Sequence, residues 1–380
     1  MTIDHAACLD QLIKDVEERC GPLLEPVERA LRAVPRHLFI PAVARTSTDT
    51  GFNLIDRDEN PGAWWDTVYQ ATEPIITQVD DGATDLRDGS WNRFSSSNSA
   101  PVTVADLLEL LLPKQGDRVL EIGTGTGWTA ALLSHMAGAK NVTTVEVDAA
   151  VSEQAAKNLA AAGVQPHLVV GDGTAGYPER APFDRVHVTC SIYQVPYAWV
   201  EQTRPGGVIV APLETGFGHG WAVRLVVMPD GTASGRFGAG ASYMHLRSQR
   251  LTYQPEPDVE PARGTTHVNP RTIAEAPAGA LLAMRGMTGL HLRVGEEDGI
   301  HRVWVLNPDK AGERAMTLWE DGLDEYPVFQ IGDRPVWDEV VDAYFRWVSW
   351  GEPGQRRFGM TVTRDEGQRF WLDSPDSPLV

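Results

Sequence analysis

Three closely spaced glycines, Gly123, Gly125 and Gly127, are the residues of this chain best suited to hold a ligand. They follow the apolar segment 118–123, predicted to be a strand, and precede segment 129–137, predicted to be a helix. Glycine lets a backbone approach a ligand closely, and the N-terminus of a helix offers unpaired N–H groups. The spacing therefore predicts a ligand site at residues 123–127.

Two classes of ligand use this strand–turn–helix geometry. A dinucleotide fingerprint, GxGxxG, needs a small third residue so that the helix packs closely on the strand. That position holds Trp128, which is far too large. The spacing is instead GxGxG preceded by Glu121, and it resembles motif I of class I S-adenosylmethionine methyltransferases, in which no pyrophosphate is bound.

Two acidic residues follow at strand ends. Glu146 lies 19 residues after Gly127, near the end of the next predicted strand, where a carboxylate accepts hydrogen bonds from both hydroxyls of a ribose. Asp172 and Gly173 end the third strand, where a side-chain acceptor could meet the amino group of an adenine. The alternatives are a solvated acid at position 146 and an ordinary turn at 172–173.

The segments around these residues alternate between strand and helix. From residue 101 onward they predict an α/β fold with a doubly wound, mostly parallel sheet. Residues 7–34 predict two helices separated by prolines, whereas 45–98 show no clear periodicity and are expected to be irregular. The predicted strands are 118–123, 141–148, 167–173, 184–191, 207–213, 221–229 and 238–247, and the predicted helices are 102–112, 129–137 and 151–163.

The remainder of the chain is expected to form a separate unit. Prolines interrupt the strand and helix periodicity after residue 250, and we interpret 250–262 as a linker. Residues 262–380 are predicted to form a small α+β domain. Its apolar stripe over 337–350 has helical spacing and favours a packed core over a substrate groove. The predicted organisation is therefore an N-terminal helical and substrate-facing segment (1–100), a methyltransferase domain (101–250) and a C-terminal accessory domain (262–380) that could bind a peptide.

Composition excludes several classes of function. The 33 basic and 52 acidic residues give a formal net charge of −19, which disfavours binding to nucleic acid or to an anionic membrane. No stretch reaches the length of a membrane-spanning helix, and the N-terminus lacks the pattern of a signal peptide. The three cysteines are widely spaced, and the ten histidines show no ligand spacing, so we expect a cytoplasmic protein without a metal site.

At this point a family resemblance becomes specific. Residues 28–213 resemble the protein L-isoaspartate (D-aspartate) O-methyltransferase family. The stretches that carry the resemblance are RALRAVPRHLFIP, SAPVTVADLLELL, VLEIGTGTGWTAALL, VVGDGTAGYPERAPFDRVHVT and RPGGVIVAPL. The resemblance implies a class I methyltransferase fold that moves a methyl group from S-adenosylmethionine to a carboxylate of a peptide or protein, with S-adenosylhomocysteine as the product.

The resemblance also implies roles for individual residues. Ser99, in the sequence SAP, matches the active-site serine of the family, although it would equally serve as the N-cap of the helix predicted at 102–112. A carboxylate with a pKa of about 4 is ionised at neutral pH and needs no general base, so catalysis rests on alignment. The residues expected to bind the cofactor are Glu121, Gly123, Thr124, Gly125, Thr126, Gly127, Glu146, Asp172 and Gly173.

The chain departs from a compact repair enzyme at both ends, and the run 95–99 is rich in serine. These features resemble a bacterial subgroup found with ribosomally made, modified peptides (lanthipeptides, graspetides and lasso peptides), in which a normal aspartate of a ring-constrained peptide is methylated and then closes to a succinimide (aspartimide). Ser96, Ser97, Arg93 and Tyr69 are predicted to contact the acceptor, although the serines would also suit a solvated loop.

Three hypotheses remain open from the sequence. The first is aspartate methylation in a constrained peptide, with succinimide and isoaspartate as later products. The second is methylation of isoaspartyl residues during the repair of damaged proteins. The third belongs to another class, a non-catalytic module that retains the cofactor and binds a peptide.

Overall fold

The computed structural model describes residues 4–48, 51–218, 220–251, 259–320 and 322–379. The predicted linker at 250–262 includes 252–258, which lie outside the described residues. In the described part of the chain, ten α-helices form: α1 (His5–Cys20), α2 (Glu25–Ala33), α3 (Pro61–Val68), α4 (Pro101–Leu111), α5 (Trp128–Leu133), α6 (Ala149–Ala161), α7 (Tyr197–Glu201), α8 (Pro270–Ala274), α9 (Ala278–Thr288) and α10 (Val336–Ser349).

The strands form three sheets. Their bounds are β1 (Val43–Thr48), β2 (Gly51–Asp56), β3 (Ile75–Val79), β4 (Phe94–Asn98), β5 (Val119–Ile122), β6 (Val142–Glu146), β7 (His167–Val170), β8 (Phe183–Val188), β9 (Thr203–Glu214), β10 (Gly220–Val227), β11 (Ala233–Gly240), β12 (Ala262–Thr266), β13 (His291–Glu297), β14 (Ile300–Leu306), β15 (Arg314–Trp319), β16 (Tyr326–Ile331), β17 (Phe358–Thr363) and β18 (Gly367–Leu372).

The central sheet has nine strands in the order β18-β17-β11-β10-β9-β8-β5-β6-β7. The five strands β9, β8, β5, β6 and β7, which lie side by side in that order, pair with one another in parallel. The pairings of β9 with β10, β10 with β11, β11 with β17 and β17 with β18 are antiparallel. The predicted α/β class and the class I methyltransferase architecture are confirmed, and the sheet is mixed rather than mostly parallel.

Alternating side chains bury both faces of this sheet. On β9, Val208 and Val210 join an apolar layer with α1, α2, α4 and α5, while Ile209 and Ala211 join a second layer that includes α7 to α10. This period of two is what a strand buried on both faces requires. The buried layers hold the carboxyl ends of the parallel strands in fixed positions.

The segment 45–98 is not irregular as predicted. Most of it forms the antiparallel sheet β2-β1-β3-β4, with α3 inserted between β2 and β3. Its strands are short and mostly polar; β4, for example, has the sequence FSSSN, and the apolar β3 (IITQV) has only five residues, so side-chain periodicity could not reveal them. The N-terminal extension is therefore part helix and part sheet.

The C-terminal region likewise crosses the predicted boundary at 262. Five of its strands form the sheet β12-β16-β15-β14-β13, but β17 pairs with β11 of the central sheet, from Ala233↔Val362 to Arg236↔Gly359. The predicted strand 238–247 corresponds to β11 at 233–240, and residues 241–246 leave the sheet to run towards the carboxyl ends of the parallel strands. The accessory region thus shares a sheet with the methyltransferase domain.

Candidate active site

The order of the central sheet places one crevice at the carboxyl end of β5. This strand is flanked by β6 and β8, so the chain reverses direction across the sheet at that point. Crossover helices leave such a switch point open, and ligands of open α/β sheets bind there. The residues that follow β5, β6 and β8 all line a cleft at this position.

The glycine loop after β5 adopts a conformation that other residues avoid. Gly123, Gly125 and Gly127 have φ angles of 91°, 55° and 89°. A Cβ on Gly123 would lie 2.7 Å from the Oγ1 of Thr189, which itself donates to the carbonyl of Ile122 at 3.0 Å. Gly123 and Gly125 line the cleft, whereas Gly127 faces Leu159 of α6 and serves helix packing.

Glu146 closes the glycine loop at the end of β6. Its Oε2 accepts a hydrogen bond from the backbone N–H of Gly125 at 2.9 Å, and its Oε1 accepts one from Asp148 N at 3.0 Å. The carboxylate is 7% exposed and lines the cleft. Because each carboxylate oxygen has two lone pairs, both oxygens retain capacity for a pair of ligand hydroxyls.

Glu121 is also held in place, but behind the loop rather than in the cleft. It is fully buried on the face of β5 that meets the N-terminal helices, and Thr144 donates to its Oε2 at 2.6 Å. Burial raises the pKa of Glu121 to about 8. The Thr144 hydroxyl also lies 2.6 Å from the Thr124 hydroxyl. Through Thr144, the buried Glu121 side chain therefore supports the glycine loop.

The remaining predicted cofactor residues also divide into those that line the cleft and those that support it from outside. Thr124, Thr126 and Gly173 line the cleft, and the Gly173 carbonyl accepts from the indole nitrogen of Trp199 at 2.8 Å. The Oδ1 of Asp172 accepts from the backbone and hydroxyl of Thr174, at 2.9 and 2.7 Å, and its side chain does not line the cleft. Asp172 therefore shapes the turn next to the cleft.

Charged contacts close the cleft from two sides. Arg247 reaches Asp148 at 2.8 Å and Asp81 at 3.2 Å, and Arg250 reaches Asp81 at 2.7 Å. These pairs join the β3–β4 connection to the segment 244–250. The closed cleft encloses about 90 Å³. Small-molecule sites commonly measure about 300–1,000 Å³, so the cleft is narrower than most such sites.

A buried arginine fixes the segment that carries Ser99. Arg36 is 1% exposed, and its Nε donates to Asn98 Oδ1 at 2.7 Å while its Nη2 donates to the Ser99 carbonyl at 2.9 Å. Asn98 in turn donates to Thr126 Oγ1 at 3.0 Å. Further carbonyl acceptors of Arg36 are Val68 and Glu73. The motif RHLF thus holds the serine against the glycine loop.

Ser99 does not cap α4, since Ala100 occupies the N-cap position and makes no side-chain hydrogen bond there. Its side chain instead lies close to the phenol of Tyr243, and both residues line the same cavity. Burial raises the pKa of Tyr243 above its ordinary range, so the phenol stays protonated. A second hydroxyl is therefore placed near that of Ser99.

A much larger cavity, about 1590 Å³, adjoins the cleft. Its walls are the N-terminal sheet on one side and the sheet of β13 to β15 on the other. The two cavities share the lining residues Ser97, Ser99, Met244, His245 and Arg250. Ser99 therefore lies where the cleft opens into the large cavity.

The predicted acceptor residues are only partly brought together. Ser96 and Ser97 line the cleft, and Ser97 and Arg93 line the large cavity. The Ser96 hydroxyl accepts from that of Thr77 at 3.1 Å, so it is bonded within its own sheet. Tyr69 lies elsewhere: its hydroxyl meets His37 Nδ1 at 2.7 Å, and it lines none of the described cavities.

Sequence reasoning missed the segment 243–250. Tyr243, His245, Arg247 and Arg250 line the site from a stretch predicted to be the end of a strand. A signal was present, because residues 243–250 combine aromatic, imidazole and guanidinium side chains after a run of small residues. The described residues contain no cluster of three metal-ligating side chains, and none of their helices is long and apolar enough to cross a membrane.

Comparison with known proteins gives a consistent result. Residues 90–249 match the family model Protein-L-isoaspartate(D-aspartate) O-methyltransferase (PCMT). The chain is 39% identical over 152 residues to Protein-L-isoaspartate O-methyltransferase of Thermococcus onnurineus, covering 39% of this chain and 68% of that relative. It is 35% identical over 193 residues to Protein-L-isoaspartate O-methyltransferase 1 of Archaeoglobus fulgidus, covering 50% and 73%.

A solved structure named protein-L-isoaspartate O-methyltransferase matches 96% of this chain and all of its own length, with a TM-score of 0.54 and 21% identity. A likeness at that identity concerns the fold alone. It extends across the C-terminal region, so the additional sheet has a counterpart in a known fold.

The residues of the cleft fit S-adenosylmethionine. Gly123 packs so tightly against Thr189 that a Cβ there would clash, so backbone alone lines this part of the cleft, and Glu146 offers a carboxylate with free lone pairs beside it. Val147 and Gly173 line the part of the cleft beyond Glu146, where a flat ring would meet apolar surface. This donor set suits a nucleoside that carries no phosphate.

Proposed function

This chain belongs to the protein-L-isoaspartate(D-aspartate) O-methyltransferase family, and on that premise we propose that it methylates an isoaspartyl or aspartyl carboxylate of a peptide held in the large cavity. As a member of the family it is an S-adenosylmethionine-dependent carboxyl O-methyltransferase. The observation that carries the acceptor proposal is the position of Ser99, where the cleft at the glycine loop opens into the cavity of about 1590 Å³.

The chain's own residues mainly position the reactants. When bound, S-adenosylmethionine supplies a methyl group on a positively charged sulfur. Glu146 and the glycine loop hold the nucleoside, and Ser99 donates a hydrogen bond to one oxygen of the acceptor carboxylate, leaving the other free to attack. The carboxylate is already ionised near pH 7, so no residue has to remove a proton.

Tyr243 completes this arrangement as a positioning residue. Because its phenol stays protonated, it donates to the Ser99 oxygen and directs the serine proton towards the acceptor. A hydroxyl, unlike a cation, orients the carboxylate without neutralising its charge. The site thus preserves the nucleophile while fixing its direction.

Two acceptors remain candidates, each supported by a different observation. The names of the relatives favour an isoaspartyl residue. The size of the cavity and the second sheet on its far wall favour a bulky, ring-constrained peptide with a normal aspartate. In that case the backbone nitrogen of the next residue attacks the ester carbonyl and displaces methanol, giving a succinimide.

The test uses the full chain, S-adenosylmethionine and three matched peptides: linear isoaspartyl, linear aspartyl and disulfide-closed aspartyl. Mass spectrometry should show a gain of one methyl group on the true acceptor. For aspartate activation, the ester should then lose methanol, leaving a product one water lighter than the starting peptide. Cofactor binding by calorimetry without methylation of any peptide would instead favour the non-catalytic module.

Variants test the role of the serine. Ser99→Ala should lower kcat by about 10- to 100-fold with cofactor affinity unchanged, since an oriented hydrogen bond to a charged group contributes about 1.5–3 kcal/mol. Tyr243→Phe should give a smaller fall in kcat. The exposed Ser349→Ala is the matched control. Normal kcat in Ser99→Ala would contradict the assignment.

A further inference from the structure

Three aromatic rings contact one another on the N-terminal wall of the large cavity. Phe52 of β2, Phe94 of β4 and Trp91, from the loop before β4, all line this cavity. The ring centroid of Phe52 lies 4.8 Å from that of Phe94 and 5.8 Å from that of Trp91, and both pairs meet edge to face. We call these three residues the aromatic cluster.

The aromatic cluster keeps part of its surface exposed. Phe52 is 40% exposed, and Trp91 and Phe94 are partly exposed. Apolar side chains scattered singly on a surface, such as Val170 at the end of β7, are ordinary. A group of rings in mutual contact that borders a single cavity is different, because contiguous apolar surface of this kind marks a binding site.

The cluster is held in position by the protein itself. The guanidinium carbon of Arg45 lies 4.4 Å from the ring centroid of Trp91, and Arg45 Nη2 donates to the carbonyl of Asp88 at 2.8 Å. The Oδ1 of Asp80 accepts from the backbone N–H of Asn92 at 2.9 Å. These contacts fix the loop that carries the indole, so that binding requires little further ordering of it.

The facing wall of the cavity is also apolar in part. Trp304 of β14 and Val294 of β13 line it, and Val294 is 50% exposed. A Cβ on Gly295 would lie 3.1 Å from the Trp304 ring, so the glycine leaves space for that indole against β13. An apolar group inside the cavity therefore has aromatic or aliphatic surface available on both walls.

The strand β4 sets the distance between the cluster and the reacting carboxylate. Phe94 begins this strand, and Ser99 directly follows its last residue, Asn98. At about 3.3 Å per residue, the two positions lie about 15 Å apart along the strand. An extended peptide whose carboxylate meets Ser99 covers that distance in about four or five residues.

We propose that the aromatic cluster of Phe52, Trp91 and Phe94 is a subsite for a large apolar side chain of the acceptor, located about four or five residues from the methylated one. The inference rests on the proposed function, because it assigns the large cavity to the peptide. The occupant is a peptide because the same cavity contains Ser99, so a chain bound there by its carboxylate reaches the cluster. Burial of an apolar side chain against rings supplies the affinity.

Binding rather than turnover tests the subsite. The probes are linear peptides with blocked termini and the same dye at one end, each with one Asp acceptor. A single position, from two to six residues on either side of the Asp, holds Phe or Ser. Fluorescence anisotropy should show that the wild-type chain binds the best Phe peptide about tenfold more tightly than its Ser analogue. In Phe52→Ala and in Trp91→Ala, that ratio should fall towards one.

Phe345→Ala is the matched control, since Phe345 is half-exposed on α10 and lines none of the described cavities. It removes an equal aromatic surface and should keep the tenfold ratio. If Trp91→Ala fails to fold, Phe52→Ala still decides, because that side chain is exposed on β2. Equal binding of Phe and Ser peptides by the wild type, or an unchanged ratio in the folded variants, would overturn the subsite.

A second copy of the chain is the other occupant that the aromatic cluster could accept. Sedimentation equilibrium of the wild type and of Phe52→Ala at several concentrations distinguishes the two cases. The peptide subsite predicts the same oligomeric state in both proteins. A dimer in the wild type that dissociates in Phe52→Ala would assign the cluster to self-association and overturn the proposal.

The same peptides separate this inference from the proposed function. Mass spectrometry after addition of S-adenosylmethionine reports methyl transfer independently of anisotropy. A Phe preference that depends on Phe52, without any methyl transfer, would contradict the proposed function and retain the subsite. Methyl transfer without a Phe preference would do the reverse.

Discussion

The cofactor half and the acceptor half of this site are built in different ways. The cleft after β5 is shaped by backbone and short hydrogen bonds, and 13 of its 23 lining residues come from the stretch 122–190. The large cavity is lined by residues from many distant segments, which include β1 to β4, the start of α4, residues 214–218 and 242–251, and β13 to β15. A fixed small ligand suits the first construction, and a variable peptide suits the second.

The difference shows which features of such an enzyme a short sequence pattern can carry. In a cleft made from the turns after consecutive strands, the glycines and acidic residues stand at characteristic spacings in the sequence. Such a cleft therefore has a sequence signature. A wall made from cross-strand neighbours has no such signature, because pairs such as Arg293 with Trp304 and Leu306 with Arg314 become adjacent only through strand register. Variants that affect one half and leave the other intact therefore test this division.

The largest effect is expected where the two halves join. Arg36→Met should lower the free energy of unfolding by about 3–5 kcal/mol, because it leaves several buried carbonyl acceptors without a donor. Methyl transfer should also be lost in this variant, since the segment that carries Ser99 is no longer held by the Arg36 hydrogen bonds. Denaturant titration measures the first effect. Arg29→Met, an exposed arginine on α2, should change stability by less than about 0.5 kcal/mol.

A loss confined to the cofactor half is expected next. Glu146→Gln should weaken binding of S-adenosylhomocysteine about tenfold or more, because a charge-assisted pair of hydrogen bonds becomes neutral. Peptide binding measured by anisotropy should stay unchanged. Glu153→Gln on α6 removes an equal charge at an exposed position and serves as the control. A parallel loss of peptide affinity in Glu146→Gln would show that the halves are not separable.

The carboxyl group of Glu121 should make stability fall as pH rises. Burial raises its pKa in the folded chain from 4.5 to about 8, so between these values the folded state holds a proton that the unfolded state has lost. Unfolding is therefore favoured progressively from about pH 4.5 to about pH 8. Denaturant titrations across this range should show a flatter pH dependence in Glu121→Gln, and an identical dependence would refute the assignment.

The smallest effect is expected on the acceptor wall. Trp304→Ala should raise KM for the peptide about three- to tenfold, because an aromatic face is removed from the wall of the large cavity. The cofactor dissociation constant should not move, since Trp304 is not part of the cleft. Phe345→Ala, at a half-exposed position on α10, provides a control for loss of aromatic surface. A fall in kcat alone would place Trp304 in the alignment step instead.

The sequence predicted the cofactor half of the site better than the acceptor half. The strand–loop–helix around Gly123, the strand end at Glu146 and the alternation over residues 101–213 were all evident, because each depends on local spacing. The sheet of β1 to β4 was missed, since its strands are short and mostly polar and only a few of their side chains, such as Ala44, Ile55 and Ile75, join the core. The role of Arg36 was equally hidden, because its acceptors at Val68, Asn98 and Ser99 are brought together only by folding.

The pairing of β17 with β11 has a consequence for synthesis on the ribosome. Residues 241–357 lie between these strands, so the outer edge of β11 emerges long before its partner. At about 5–20 residues per second, that edge waits roughly 6–20 s for its partner. During this interval the nascent chain carries an unpaired strand edge next to an apolar layer, which is the kind of surface that chaperones shield from aggregation.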